Sequence, residues 1–263
     1  MKKTRLRLSK ISALHYYKLF FRSALFLYTL ISYIVRKLAA KPTEYRPVTL
    51  IVVGVIFIAE MILRFFPSSL ESMGCQKQFK RNFIPTEVST PRKGIDWSVV
   101  AVAAAWLGLN AVIGLLYFTH VIDAGILVVI SLAFSVCDMI CILFFCPFQT
   151  WFMKNKCCGS CRIYNWDYAM MFTPLAFIPN VYTYTILGVA LLLLLYWEIA
   201  ALCHPERFYE ETNGCLSCQC CQEKLCHHKK QLRSFLKKNK DVLRLKGNRV
   251  IEKAKSTLKR TKE

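Results

Sequence analysis

IYNWDYAMMFTPLAFIPNVYTYTILGVALLLLLYWEIAALC, residues 163–203, is 41 residues of mostly apolar chain broken by Pro174 and by Pro179-Asn180. The topology turns on how often this stretch crosses a bilayer. One reading makes 181–203 a single span after a surface loop. The other makes a hairpin: a Pro-kinked arm at about 166–179, a turn at Pro179-Asn180, and a return over 181–203. The first arm is short, since roughly 14–17 helical residues rise only about 21–25 Å.

The cysteines on either side decide between them. Eight of the 13 cysteines fall in two groups, 157–161 and 215–226. The first, NKCCGSC, contains Cys158-x-x-Cys161 with Cys157 adjacent. The second, CLSCQCCQEKLCHH at 215–228, contains Cys215-x-x-Cys218 and Cys218-x-x-Cys221, with Cys220 and Cys226 besides. Such spacing is too tight for a disulfide framework and reads as thiols kept reduced for metal. The expected ligands are Cys158, Cys161, Cys218 and Cys221, with Cys226 or Cys215 completing the set or replacing one member. Four thiolates make a closed zinc site or hold an iron–sulfur cluster. The spacing does not separate the two: Cys215, Cys218 and Cys221 match three positions of a ferredoxin-type run, but no fourth cysteine or proline follows in register. His204, His227 and His228 read as basic residues at helix boundaries. Palmitoylation explains isolated juxtamembrane thiols but not paired spacing.

Thiols from both groups can share a metal only on one side of the membrane. The chain from 162 to 214 then crosses an even number of times, which selects the hairpin. Working outward, 19–38, 47–66, 96–119 and 121–146 are each apolar enough to cross hydrocarbon, the first weakened by Arg22. The expected fold is an all-α polytopic membrane protein of about six spans with a cytoplasmic Cys-rich metal-binding loop and tail. Residues 1–18 form a basic arm, 19–146 four transmembrane helices, 147–228 the Cys-rich loop, hairpin and juxtamembrane cluster, and 229–263 a basic amphipathic helix.

Charge supports this layout. The chain of 263 residues is 55% hydrophobic yet carries a formal charge of +20. Residues 229–263 hold 14 Lys or Arg against 3 acids. Such a tail suits anionic headgroups, with nucleic acid a weaker candidate. Basic loops and a reducing compartment place both termini in the cytoplasm of a cell inner membrane. The loop 36–46, with Arg36, Lys37, Lys41 and Arg46, contradicts that rule.

Within the spans, Asp138 is costly unless paired or functional, and marks a proton or quinone contact with Arg22, Asn110 or Glu198 as candidate partners. Glu60 and Arg64, four apart, are expected to neutralise each other. Ala101, Ala104, Ala105, Gly108 and Ala111 predict a close-packing face. Cys137, Cys141 and Cys146 read as small packed hydrophobes, and Cys75 and Cys203 as inert. Trp151, Trp166, Tyr196 and Trp197 read as interface anchors. No phosphate loop, catalytic triad order or HExxH is present, so no reaction is assigned. Cys158 and Cys161 also have thiol–disulfide spacing, without the βαβ pattern that accompanies it. The function expected is membrane-associated electron transfer through an iron–sulfur centre, with a cytoplasmic redox protein docking on the basic face. A zinc-stapled scaffold or transporter component is the alternative.

Overall fold

The computed structural model describes residues 10–39, 47–67, 76–88, 96–153 and 161–217, and the described residues are helical with short connections. They fall within one compact unit, Ser9–Glu223. The basic tail lies outside the described residues.

The described residues form six α-helices: α1 (Lys10–Leu38), α2 (Pro47–Leu63), α3 (Trp97–Phe118), α4 (Ala124–Leu143), α5 (Asp167–Phe172) and α6 (Val181–Cys203). Four are long and apolar enough to cross a membrane: α1 over Ala13–Leu38, and all of α3, α4 and α6. This is a helical membrane protein. α1 begins at Lys10, so part of the expected basic arm is helix continuous with the first span.

The helix starts follow local chemistry. Asp96, Asp123 and Asn180 cap α3, α4 and α6, their side chains accepting from the N–H groups of Ser98, Ile126 and Tyr182. Each cap satisfies an amide that the first helical turn leaves without a partner. Between α3 and α4 the chain reverses at His120, whose φ of 59° is the left-handed conformation a tight turn needs.

Contacts at the two ends of α1 set the direction of packing. Arg22 reaches Asp138 near the end of α4, while Lys37 reaches Asp123 at its start. α1 and α4 are therefore antiparallel, and the bundle has a Cys161 end and an Asp123 end. Lys37 Nζ lies 3.1 Å from Asp123 Oδ2, which neutralises one cation of the anomalous basic loop.

The segment 164–177 runs through the bundle interior rather than over its surface. It starts beside the Arg64 that follows α2 and ends with Phe177 against Gly114 and Phe118 of α3. Its path is a 3₁₀ turn (Tyr164–Trp166), α5, and a second 3₁₀ turn (Thr173–Phe177) that begins beside Pro174. Such irregular backbone is tolerated at membrane depth only when other protein surrounds it. Here Tyr168, Met171, Phe172 and Leu175 are buried in the main core with Phe57 and Met61 of α2 and Ile186, Leu193 and Trp197 of α6. Ser131 of α4 donates to the Met171 carbonyl at 2.8 Å, and Thr173 donates to that of Ala169 at 2.6 Å. The polar backbone where helix gives way to 3₁₀ is thus satisfied from within.

Two expectations about packing are overturned. Ala101, Ala104, Ala105, Gly108 and Ala111 all face outward, and a Cβ at Gly108 would meet nothing within 4 Å. α3 instead buries Val102, Asn110, Ile113 and Gly114, because its partner is the bulky 3₁₀ segment rather than a second straight helix. Trp197 is no interface anchor: it is buried and meets Phe79 and Phe208 edge to face, with ring centroids 4.9 and 6.2 Å away.

Candidate functional site: a buried ion cluster, a thiol-lined cavity and a polar cap

At the Cys161 end, three cations and three carboxylates meet between α1, α2, α4 and α5. Arg22, 2% exposed, is the hub. Its guanidinium donates to Glu60 Oε2 at 2.7 Å, to Asp138 Oδ2 at 3.1 Å and to the Ser135 carbonyl at 3.3 Å. Lys18, one helical turn earlier, reaches Glu60 Oε1 at 3.4 Å. Arg64 forms a two-pronged pair with Asp167, both contacts at 2.7 Å. Tyr168 joins the halves. Its hydroxyl donates to Glu60 at 2.9 Å, and its ring lies 5.8 Å from the Arg22 guanidinium and 4.6 Å from that of Arg64. Isolated charges at such depth are costly, so mutual neutralisation is the condition for keeping them.

Sequence reasoning recognised part of this. Arg22 is indeed the partner of Asp138, whereas Asn110 donates to the Trp106 carbonyl and Glu198 binds elsewhere. The expected Glu60–Arg64 neutralisation does not form. Each of the two finds a partner on another helix, since the short α5 brings Asp167 to Arg64 while α1 brings Arg22 to Glu60.

Beside the cluster is a cavity of about 290 Å³ between α3, α4 and the 161–171 segment. Asp138 and Asp167 form part of its wall, and so do Cys137, Cys141, Cys146 and Cys161. Three of these thiols were expected to pack as small hydrophobes. All three border this cavity; α4 ends at Leu143, and after Cys146-Pro147 the chain enters a π-helical turn over Phe148–Phe152. The Gln149 N–H donates to Cys146 Sγ at 3.4 Å. A second cavity, of about 410 Å³, lies toward the Asp123 end and is bordered by Leu25, Phe57, Val128 and Tyr182.

Above the bundle at the Cys161 end, residues 76–88 and 204–217 knit into a polar cap. Gly214 N–H donates to the Ile84 carbonyl at 2.7 Å, and Pro85 pairs with Asn213 in an antiparallel bridge. Asn213 is its centre. It donates to the carbonyls of Lys77 at 3.1 Å and Arg207 at 2.9 Å, and accepts from the N–H groups of Cys215 at 3.0 Å and Ile84 at 3.4 Å. Gln78 in the same segment donates to the Cys161 carbonyl at 3.3 Å and accepts from Asn165 at 2.6 Å. Next to Cys161, Arg162 grips Glu198 of α6 at 2.7 and 2.8 Å, and Trp166 donates to the same carboxylate at 2.6 Å.

Of the expected metal ligands, Cys161 and Cys215 are described: the Cys161 carbonyl accepts from Gln78, and the Cys215 N–H donates to Asn213, which itself donates to the Lys77 carbonyl. Cys161 is 5% exposed. Cys158, Cys218, Cys221 and Cys226 lie outside the described residues. Among the described residues, no three His, Cys, Asp or Glu side chains converge as a metal site. Comparison with known protein families, with characterised proteins and with solved structures finds no match in any of the three.

Proposed function

We propose that the chain is an integral membrane metalloprotein whose Cys-ligated centre serves membrane-associated electron transfer. Cys158, Cys161, Cys218 and Cys221 hold the metal, with Cys226 or Cys215 completing or replacing one ligand, and the centre is an iron–sulfur cluster. In this reading the chain makes six crossings, counting α2 and the buried 164–177 segment. The Cys161 end and both termini face the cytoplasm of the cell inner membrane. The tail 229–263 rests on anionic lipid, and a cytoplasmic redox protein docks on the basic face.

The observation that carries the reading is the common anchorage of Cys161 and Cys215 through Gln78, Lys77 and Asn213. One member of each group, Cys161 and Cys215, 53 residues of mostly apolar chain apart, thus attaches to the same polar cap, which supports a shared centre. A rigid polar cap beside a buried first ligand limits water access, which together with hydrogen bonding tunes a cluster's potential.

Protein purified anaerobically in detergent should be brown, with a broad visible absorption that dithionite bleaches and acid-labile sulfide in proportion to iron. Cys158→Ser and Cys218→Ser should each release the same metal. Colourless protein holding stoichiometric zinc, lost from both variants, replaces electron transfer by the zinc-stapled scaffold. Retention of full metal by either variant refutes the shared site.

A further inference from the structure

The cavity beside the ion cluster is not explained by the metal centre. Trp106, Phe134, Phe148 and Tyr164 line it with aromatic rings. The Trp106 indole N–H already donates to Thr173 Oγ1 at 3.4 Å, and its ring meets Phe134 edge to face with centroids 5.2 Å apart. The rim includes Leu109 on α3 and Cys137 on α4, both exposed residues on membrane-length helices. The mouth therefore opens sideways, toward lipid rather than water. One acceptor in this apolar wall stands without a donor. Asp138 is 14% exposed, and Arg22 holds its Oδ2 at 3.1 Å. Among the described residues, nothing donates to its Oδ1. A carboxylate oxygen bordering lipid-open space is costly until whatever fills that space supplies a hydrogen bond.

Charge and shape narrow the occupant. Lys18, Arg22 and Arg64 balance Glu60, Asp138 and Asp167. A cationic ligand would leave a net charge in a low-polarity interior, and an anionic one would be repelled by Asp138. A neutral hydroxyl donor keeps the balance. The aromatic lining selects a flat ring to carry it, since rings pack edge to face or offset against one another, and about 290 Å³ suits one substituted ring. We propose that this cavity binds the head of a lipid-soluble phenol, whether a quinol or a monophenol, through a hydrogen bond from its hydroxyl to Asp138 Oδ1. The tail leaves past Leu109 into the bilayer. Arg22 is the positioning residue: by holding Oδ2 it fixes the carboxylate in the cavity wall and leaves Oδ1 to the ligand. Methylating the ligand hydroxyl removes the donor and strands that oxygen again, which is the strongest form of discrimination such a site has. Cys161 shares the wall, so a quinol here lies beside the proposed centre; that link rests on the metal reading, and the binding does not.

The test uses the full chain in lipid nanodiscs under anaerobic conditions, with tritiated para-decylphenol and a decyl ubiquinol analogue as probes and empty nanodiscs as the partition blank. One phenol per chain should be retained above the blank; retention of both probes assigns a general phenol site, and of the quinol alone a quinol site. The methyl ether of each probe should bind about tenfold more weakly or worse, the loss expected for a hydrogen bond to a charged acceptor. The saturated decylcyclohexanol, which keeps hydroxyl and tail but not the flat ring, should bind about threefold more weakly or worse. Asp138→Asn should weaken phenol binding by about tenfold, because an amide oxygen accepts less strongly than a carboxylate. Leu109→Trp, set at the mouth, should do the same with the ion cluster untouched, and it decides the matter where Asp138→Asn fails to fold. Leu202→Trp, on the exposed surface of α6, should bind as the parent does. The readout is occupancy rather than electron transfer, so a chain without iron tests the site equally well. Retention no higher than the blank, equal binding of phenol and ether, or parent-like binding by Leu109→Trp or by folded Asp138→Asn overturns the proposal.

Discussion

Replacing Arg22 by Met is the most direct probe of the ion cluster. Met preserves the unbranched apolar stem and removes the charge. Glu60 keeps Lys18 and Tyr168, but Asp138 loses its ion pair with Arg22 and is left facing a low-polarity interior. Two charges about 4 Å apart at an effective dielectric near 20 interact by about 4 kcal/mol. Breaking a buried pair from one side costs about 3–5 kcal/mol. We therefore expect Arg22→Met to lose about 3–5 kcal/mol, between two and nearly four powers of ten in the folding equilibrium. Asp138→Leu alone should also destabilise, because it leaves Arg22 with one carboxylate in place of two. The double variant Arg22→Met/Asp138→Leu should recover about 2–3 kcal/mol relative to additivity. The assay is reversible unfolding in mixed micelles titrated with a denaturing detergent, followed by far-ultraviolet circular dichroism. Two results refute the reasoning: Arg22→Met within about 0.5 kcal/mol of the parent, or strict additivity in the double variant.

Other consequences are equally open to measurement. Asn213→Ala strands the buried carbonyl of Lys77 together with three further backbone groups, and should cost the cap about 2–3 kcal/mol. Amide exchange at Gly214 should then accelerate about 30–150-fold, and unchanged exchange would show that the cap is held otherwise. At Gly114, a Cβ would lie 2.6 Å from Phe177 Cζ, so Gly114→Val should lose about 1–3 kcal/mol and Phe177→Ala should restore part of it. A Gly114→Val variant as stable as the parent argues against this packing. Asp123 supplies a pH dependence. Partial burial pushes its carboxyl up, but the Ile126 N–H, Lys37 and Tyr33 outweigh that and hold it below the usual carboxylate range. A depressed acid stabilises the fold above its unfolded value and loses that contribution as pH falls through the folded one. The gap in melting temperature between parent and Asp123→Asn should be full near neutrality and shrink as the pH drops below about 4. A gap that grows on acidification would invert the assignment.

The candidate site was legible only where chemistry is local. Asp138 stood out because one carboxylate within a long apolar run needs a partner, and Arg22 was nameable as the other charge within a span. The Glu60–Arg64 misreading came from trusting helical spacing, which is the only proximity a linear chain displays. Arg64 and Asp167 are 103 residues apart, and nothing short of the packed bundle puts them together. The cavity wall that Cys141 and Cys146 share was hidden for a related reason. A spacing of five matches neither a helical face nor a ligand motif, and both residues line one cavity because the helix ends between them.

What the residue order settles alone is the set of long apolar helices, their Asp and Asn starts, the turn at His120 and the break at Pro174. These depend on hydropathy summed over about twenty residues and on backbone chemistry within one or two turns. The tertiary structure decided which face of each helix is buried. It turned the small-residue side of α3 outward and drew an irregular segment into the middle of the bundle. It also exchanged the partners of Glu60 and Arg64. In lipid both faces of a span are apolar, so hydrophobicity cannot say which one meets protein; shape, and the need to neutralise the charge cluster around the buried Arg22 and Arg64, made that choice.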